Sequence, residues 1–119
     1  MKVYRRAPLK VIDVKSDRPT VHEALRRMDQ EIVVARHENC SLLKIVHGYG
    51  STGAGGDIRI AVQRRLRELA DCGEIRGCIF GESWSKSDEE SWRLVQAQPE
   101  LKSDPDLGRG NLGITIVLL

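Results

Sequence analysis

Residues Val46 to Asp57 read VHGYGSTGAGGD and are the most informative segment of this sequence. An apolar run from Leu42 to Val46 precedes it and an amphipathic pattern from Ile58 to Ala70 follows it, which predicts a strand, a glycine-rich loop and a helix. Five of the nine residues from Gly48 to Gly56 are glycine, which lets a backbone approach a ligand closely. Because the first N–H groups of a helix lack partners and its dipole favours negative charge, the loop predicts a phosphate site. The alternative is a flexible connecting loop.

Composition describes a folded globular chain whose charge is unevenly distributed. With 119 residues, 40% hydrophobic and 30% charged, the sequence fits one domain, 1–119, and is not that of a disordered chain. The net charge of +2 is too small to indicate nucleic-acid binding by itself. Residues 2–18 carry six Lys or Arg against two Asp, whereas residues 82–106 carry three against seven acidic residues. We therefore expect a basic N-terminal arm at 1–8 and an acidic insertion at 82–111.

The cysteines and the absence of targeting signals predict a cytoplasmic chain with no membrane partner. The chain has three cysteines, Cys40, Cys72 and Cys78. An odd number without a C-x-x-C pair favours free thiols in a reducing compartment. A zinc site from two of them with a histidine is a weaker alternative. The first residues lack the apolar core of a signal peptide, and no apolar run approaches membrane-spanning length.

Periodicity along the chain predicts the order β-α-β-α-β-(α)-β. Thr20 and Glu23 fit a capping box at the start of the first helix, and Asp57 is a candidate N-cap for the second. The apolar segment 112–119 must be buried, so we expect it to be an interior strand of the sheet. The other predicted strands are 9–14, 42–47 and 75–80, and the two main helices are predicted on one face of the sheet.

The insertion contains a short predicted helix that covers either the other face of the sheet or one edge. Ser87 is its expected N-cap with Glu90 as the capping-box partner, and Pro99 ends it. Trp92 and Val95, three residues apart, are expected to pack inward.

The glycine loop also matches a dinucleotide-binding fingerprint. Gly48-Tyr49-Gly50-Ser51-Thr52-Gly53 is a literal G-x-G-x-x-G between a strand and a helix. The chain nevertheless has too few βα units for a complete dinucleotide fold. Ala54 stands where a P-loop would need lysine, so neither phosphate fold accounts for the whole sequence.

A larger set of motifs resembles the small MutS-related (Smr) domain family. That family carries Leu-Asp-Leu-His or Leu-Asp-Leu-Arg on its first strand, a His-Gly-x-Gly-x-Gly loop, and Leu-Arg on the following helix. The matching segments are Ile12-Asp13-Val14-Lys15, Thr20–Leu25, Ile45–Gly53, Ile58-Arg59 and Gly113–Val117. The resemblance covers residues 9–119 apart from the insertion. It implies an α/β (α+β) two-layer sandwich like the C-terminal domain of a bacterial translation initiation factor. In that fold a four-stranded mixed sheet of order 1-2-4-3 has its last strand internal and antiparallel.

The resemblance also implies a function and a set of site residues. Members are similar to DNA- and RNA-nicking endonucleases and to nucleic-acid-binding modules. Asp13 falls on the family's strand acid, His47, Gly48 and Gly50 fall on the loop motif, and Arg59 falls on the helix arginine. Two departures affect the site: Lys15 replaces a histidine or arginine, and Ala54-Gly55-Gly56 lengthens the loop.

Each candidate residue has a chemical role and a structural alternative. His47 could act as general acid or base on a phosphodiester with Asp13 as its orienter, or both could make local hydrogen bonds only. Lys15 and Arg59 would stabilise phosphate charge, since a cation in a first helical turn opposes the dipole unless it serves an anion. Tyr49 and Trp84 could stack on bases. The predicted phosphate-binding residues are Lys15, Gly48, Tyr49, Gly50, Ser51, Thr52, Gly53 and Arg59.

We therefore expect a nucleic-acid-binding domain with possible nicking activity on DNA or RNA and no required cofactor. Asp13 with His47 supplies only two ligands for a divalent metal, which is not a site. The alternatives are a non-catalytic nucleic-acid or ribosome-associated module and, less favoured, a small nucleotide-binding protein.

Overall fold

The computed structural model describes residues 9–49 and 55–119. Their element order is the predicted one. The strands are β1 (Lys10–Asp13), β2 (Leu42–Val46), β3 (Gly77–Phe80) and β4 (Ile114–Leu118), and the helices are α1 (Val21–His37), α2 (Gly55–Asp71) and α3 (Glu89–Ala97). Two short 3-10 helices, Gly81–Ser83 and Pro99–Ser103, flank α3. The predicted basic arm 1–8 and loop residues 50–54 lie outside the described residues.

The four strands form one mixed sheet in the order β1-β2-β4-β3. β1 runs parallel to β2, whereas β4 is antiparallel to both β2 and β3 and lies between them. This confirms the predicted fold, including the interior position of the last strand. The register places Asp13 beside Val46, so the carboxyl ends of β1 and β2 meet at one edge.

Both main helices cover the first face of the sheet, as expected from right-handed crossovers. The α1 capping box forms: the Glu23 N–H donates to Thr20 Oγ1 at 3.1 Å, and the Thr20 N–H donates to Glu23 Oε1 at 2.8 Å. Apolar residues at helical spacing then face the strands. The buried residues of this first-face core are Ile12, Val14, Ala24, Met28, Ile32, Ala35, Leu43, Ile45, Ile58, Val62, Leu66, Ile75 and Val117.

The second face of the sheet is covered by the segment 81–111. Its core buries Leu42, Ile79, Trp84, Val95, Leu101, Ile114 and Ile116. The insertion therefore adds a partial layer to the two-layer sandwich. Gly81 permits this packing, because a Cβ at that position would lie 1.8 Å from the Asn111 carbonyl oxygen.

Two predicted helix starts need correction. α2 begins at Gly55, so Asp57 lies within its first turn instead of capping it. α3 is capped by Asp88, whose side chain accepts from the Ser91 N–H at 3.0 Å, and not by Ser87.

The inward face of α3 also differs from the prediction. Ser91 and Val95, four residues apart, are buried, whereas Trp92 is 37% exposed. Ser91 is retained inside because two acceptors lie within reach of its single hydroxyl proton, the Asp88 carboxylate at 2.8 Å and the Ser83 carbonyl at 2.9 Å. A small polar residue thus takes the inward position that the sequence pattern assigned to tryptophan.

Candidate functional site

The candidate site lies where β1 and β2 end. The N–H groups of His47 and Gly48 both donate to the Gly113 carbonyl at 3.0 Å, which fixes the start of the glycine loop to the residue before β4. Gly48 has φ +72°, a conformation that glycine adopts without steric cost. The sharp turn after His47 is therefore built into the backbone.

His47 is fully buried, and both of its ring nitrogens are occupied. Nδ1 lies 2.7 Å from the Gly48 carbonyl oxygen and must donate to it, so in the neutral ring Nε2 accepts from the Thr115 hydroxyl at 2.9 Å. Burial lowers the pKa of His47 below its ordinary value, and the nearby Arg59 cation lowers it further, although the Gly48 carbonyl opposes both. The imidazole is thus neutral at neutral pH.

Asp13 stabilises the turn that follows β1. One carboxylate oxygen accepts from the backbone N–H of Lys15 at 2.8 Å and of Ser16 at 3.0 Å, and Lys15 Nζ lies 3.9 Å from the other oxygen. Burial alone would raise the pKa of Asp13, but these hydrogen bonds outweigh it and hold the pKa below its ordinary value. The hydrogen bonds of the Asp13 carboxylate are therefore made within its own turn, to Lys15 and Ser16.

Asp13 and His47 project to opposite faces of the sheet. Ile12 and Val14 pack in the first-face core, so Asp13 between them points to the second face. His47 bonds Thr115, which alternates with Ile114 and Ile116 of the second-face core and so lies on the first face. The structure does not bring the two predicted catalytic side chains together.

Lys15 and Arg59 do converge on the His47-Gly48 segment. Lys15 Cδ lies 3.1 Å from where a Cβ on Gly48 would be, and its side chain is 47% exposed. Arg59 lies near His47, and its NH2 group contacts Glu82 at 3.1 Å. The buried Nε–H of Arg59 has no hydrogen-bond partner in the part of the chain that the structure describes. Glu82, which no sequence motif marks, thus joins this site through Arg59.

The two aromatic candidates have different environments. Tyr49 is 59% exposed at the start of the loop, so base stacking by its ring stays a prediction. Trp84 is fully buried and donates through Nε1 to Asp104 at 2.9 Å, so the prediction that it stacks on a base is wrong. The predicted phosphate ligands Gly50, Ser51, Thr52 and Gly53 lie outside the described residues.

One solved structure matches most of this chain. The chain is similar to the Smr domain of Thermus thermophilus MutS2, with 25% sequence identity and a TM-score of 0.57. The match covers 92% of this chain and 96% of the other. The chain is an Smr-like domain. No protein-family model and no curated protein matches its sequence.

This Smr-like domain contains a buried ionic cluster that sequence analysis missed. Lys44 is 4% exposed, and its Nζ lies 2.6 Å from carboxylate oxygens of both Asp104 and Asp106. Asn111 donates to Asp106 and accepts from the Gly113 N–H. Burial would raise the pKa of Asp106, but the bonds from Lys44 and Asn111 dominate and lower it. The cluster thus ties the insertion to Gly113, the residue that holds the loop. In the sequence, this cluster is indicated only by Lys44 itself, a charged residue within the otherwise apolar run 42–46.

Within residues 9–49 and 55–119, no three His, Cys, Asp or Glu side chains come together as a metal site. All three cysteines are free thiols. No helix in the described part of the chain is long and apolar enough to cross a membrane.

Proposed function

We propose that this Smr-like domain binds nucleic acid through phosphate contacts at the ends of β1 and β2 and the start of α2. The observation that supports this most directly is the convergence of Lys15 and Arg59 on His47-Gly48. Arg59 also has a buried Nε–H without a partner among the described residues, which is a donor that an anion would satisfy. A helix N-terminus beside two cations favours a phosphate group.

The pairing of Arg59 with Glu82 shapes how a phosphate would enter. The contact of 3.1 Å involves side chains that are 25% and 39% exposed, so the pair is accessible from solvent. An incoming phosphate would compete with the Glu82 carboxylate for the guanidinium. We expect Glu82→Gln to strengthen binding, because it removes the competing charge while keeping a side chain of similar shape.

Phosphodiester nicking is the second candidate function. It is favoured by the lowered pKa of His47, which keeps the imidazole in the unprotonated state that a general base requires. To accept a proton from water, however, Nε2 would have to release the Thr115 hydroxyl. Asp13 is engaged with the turn at Lys15 and Ser16. The geometry therefore supports binding better than catalysis.

Binding is tested by fluorescence anisotropy with a labelled oligonucleotide over a salt series. Lys15→Ala and Arg59→Ala should each weaken binding and reduce the slope of log K against log salt by about one. Arg93→Ala is the charge-matched control, since Arg93 is an exposed α3 residue paired only with Glu89 among the described residues. Equal losses in all three variants, or no binding at low salt, would contradict the proposal.

Nicking is tested with supercoiled plasmid and with structured RNA, comparing wild type with His47→Ala and Asp13→Asn. A loss of cleavage in folded His47→Ala would support catalysis, whereas no cleavage of either substrate by wild type would eliminate it. The nucleotide-binding alternative predicts saturable binding of a free mononucleotide that competing RNA does not reverse.

A further inference from the structure

A shallow groove of about 500 Å³ lies next to the candidate phosphate site. It is lined by Tyr49, Asp106, Arg109, Gly110, Asn111 and Leu112. Tyr49 comes from the start of the glycine loop, and the other residues come from the end of the insertion and the approach to β4. The groove therefore exists only because the insertion returns to the sheet beside the loop.

Tyr49 presents an aromatic surface in this groove. Its Cδ1 lies 3.5 Å from where a Cβ on Gly113 would be, so one part of the ring rests against the backbone before β4. The residue nevertheless remains 59% exposed, and Leu112 in the same groove is 39% exposed. Two accessible apolar surfaces thus stand within one open concavity.

The polar side of the groove is fixed by hydrogen bonds and ion pairs. Asn111 is held by Asp106 at 2.9 Å and by the Gly113 N–H at 2.8 Å. The Asp106 carboxylate is paired with the buried Lys44 ammonium. Because Lys44 is shared with Asp104, the two carboxylates and one ammonium keep one net negative charge, which the nearby Arg109 cation offsets.

We propose that this groove receives one unpaired nucleobase of a single-stranded nucleic acid whose phosphate lies at the neighbouring Lys15-Gly48 site. The base would stack on Tyr49 with Leu112 beside it, and Arg109 would contact an adjacent phosphate. A base inside a duplex is covered on both faces by its neighbours, so only an unpaired base offers a face to Tyr49. This inference rests on the proposed function and adds a preference for single strands.

The test separates base contacts from phosphate contacts. One strand is a short thymidine homo-oligomer, and the other has the same length and charge but abasic residues at its centre. Wild type should bind the base-bearing strand on the order of tenfold more tightly than the abasic strand at fixed salt. Tyr49→Ala should bring the two affinities to within about twofold of each other, and Tyr49→Phe, which keeps the ring, should preserve the difference. A uridine homo-oligomer and its abasic counterpart repeat the comparison for RNA.

The possible failures are distinguishable. If base-bearing and abasic strands bind wild type equally with a steep salt dependence, the groove inference is wrong while phosphate binding stands. The same conclusion follows if Tyr49→Ala weakens both strands equally, or if a duplex of the same length binds more tightly than the single strand. If no strand binds at low salt, the proposed function and this inference both fail.

Discussion

At the scale of single residues, His47 combines complete burial with two occupied ring nitrogens. Its pKa is lowered in the folded state, so below about pH 6.5 the unfolded chain binds a proton that the folded chain does not. Stability should therefore be fully present above that pH and decrease as the pH falls toward the folded-state pKa. Urea denaturation in steps from about pH 7.5 to 4.5 measures this dependence.

The matched variant is His47→Gln, which keeps a buried hydrogen-bonding group without titrating. It should remove most of the loss between about pH 6.5 and 5. Asp13 and Asp106, whose pKa values are also lowered, contribute stability that is lost only below about pH 4. A variant whose stability still falls steeply between pH 6.5 and 5 would assign the effect to another group.

Gly48 allows a second residue-scale prediction with a close control. Gly48 and Gly73 share a positive φ, +72° and +80°, but a Cβ would crowd Lys15 only at Gly48, since nothing lies within 4 Å at Gly73. Gly48→Ala and Gly73→Ala should each destabilise by about 1–2 kcal/mol in chemical denaturation, because both force alanine into the left-handed region. Only Gly48→Ala should also weaken oligonucleotide binding, since it displaces Lys15. Equal binding losses in the two variants would contradict a specific effect of the contact between Gly48 and Lys15.

At the scale of elements, the N-terminus of α3 distinguishes two possible caps. Asp88 accepts from both the backbone N–H and the hydroxyl of Ser91, whereas Ser87 bonds only the Ser85 hydroxyl among the described contacts. Asp88→Ala should therefore cost about 1 kcal/mol of unfolding free energy. Ser87→Ala should change it by less than about 0.5 kcal/mol, as for an ordinary surface position. Thermal denaturation of both variants provides the measurement, and the opposite ranking would return the cap to Ser87.

At the scale of the whole molecule, Lys44 joins the central sheet to the insertion. Lys44→Met leaves two carboxylates without their buried cation, one of them, Asp104, only 6% exposed, and should cost about 3–5 kcal/mol. Asp104→Asn and Asp106→Asn added to Lys44→Met should recover much of this loss, because the triple variant buries no uncompensated charge. Chemical denaturation reports both effects.

The same cluster connects to the site through Asn111 and Gly113. If the triple variant folds but binds oligonucleotide more weakly than wild type, the insertion contributes to holding the loop. If Lys44→Met alone leaves stability unchanged, the ionic cluster contributes nothing measurable and the insertion is held by its apolar contacts.

Much of the fold was predictable because its signals are local. Helical spacing from Val21 and from Ile58, the Thr20–Glu23 capping box and the apolar end of the chain gave the element order and the interior last strand. Errors of one or two residues occurred where neighbouring polar residues compete for a cap, as at Ser87 and Asp88. Helical spacing cannot separate Trp92 from Ser91 as the residue that packs inward with Val95. Residues three apart and residues four apart both lie on the same face of a helix.

The sequence is sufficient to predict a β-α-β-α-β-(α)-β domain with Lys15 and His47-Gly48 at the strand ends and Arg59 on the following helix. Tertiary structure alone decided that Asp13 and His47 face opposite sides, because the strand pleat and the burial of the neighbouring residues set that relation. It also decided that Lys44 and Trp84 share Asp104 as a hydrogen-bond partner. Asp104 lies 60 residues from Lys44 and 20 residues from Trp84 in the sequence. Contacts over such separations depend on how the insertion packs on the sheet, so they cannot be predicted from local periodicity.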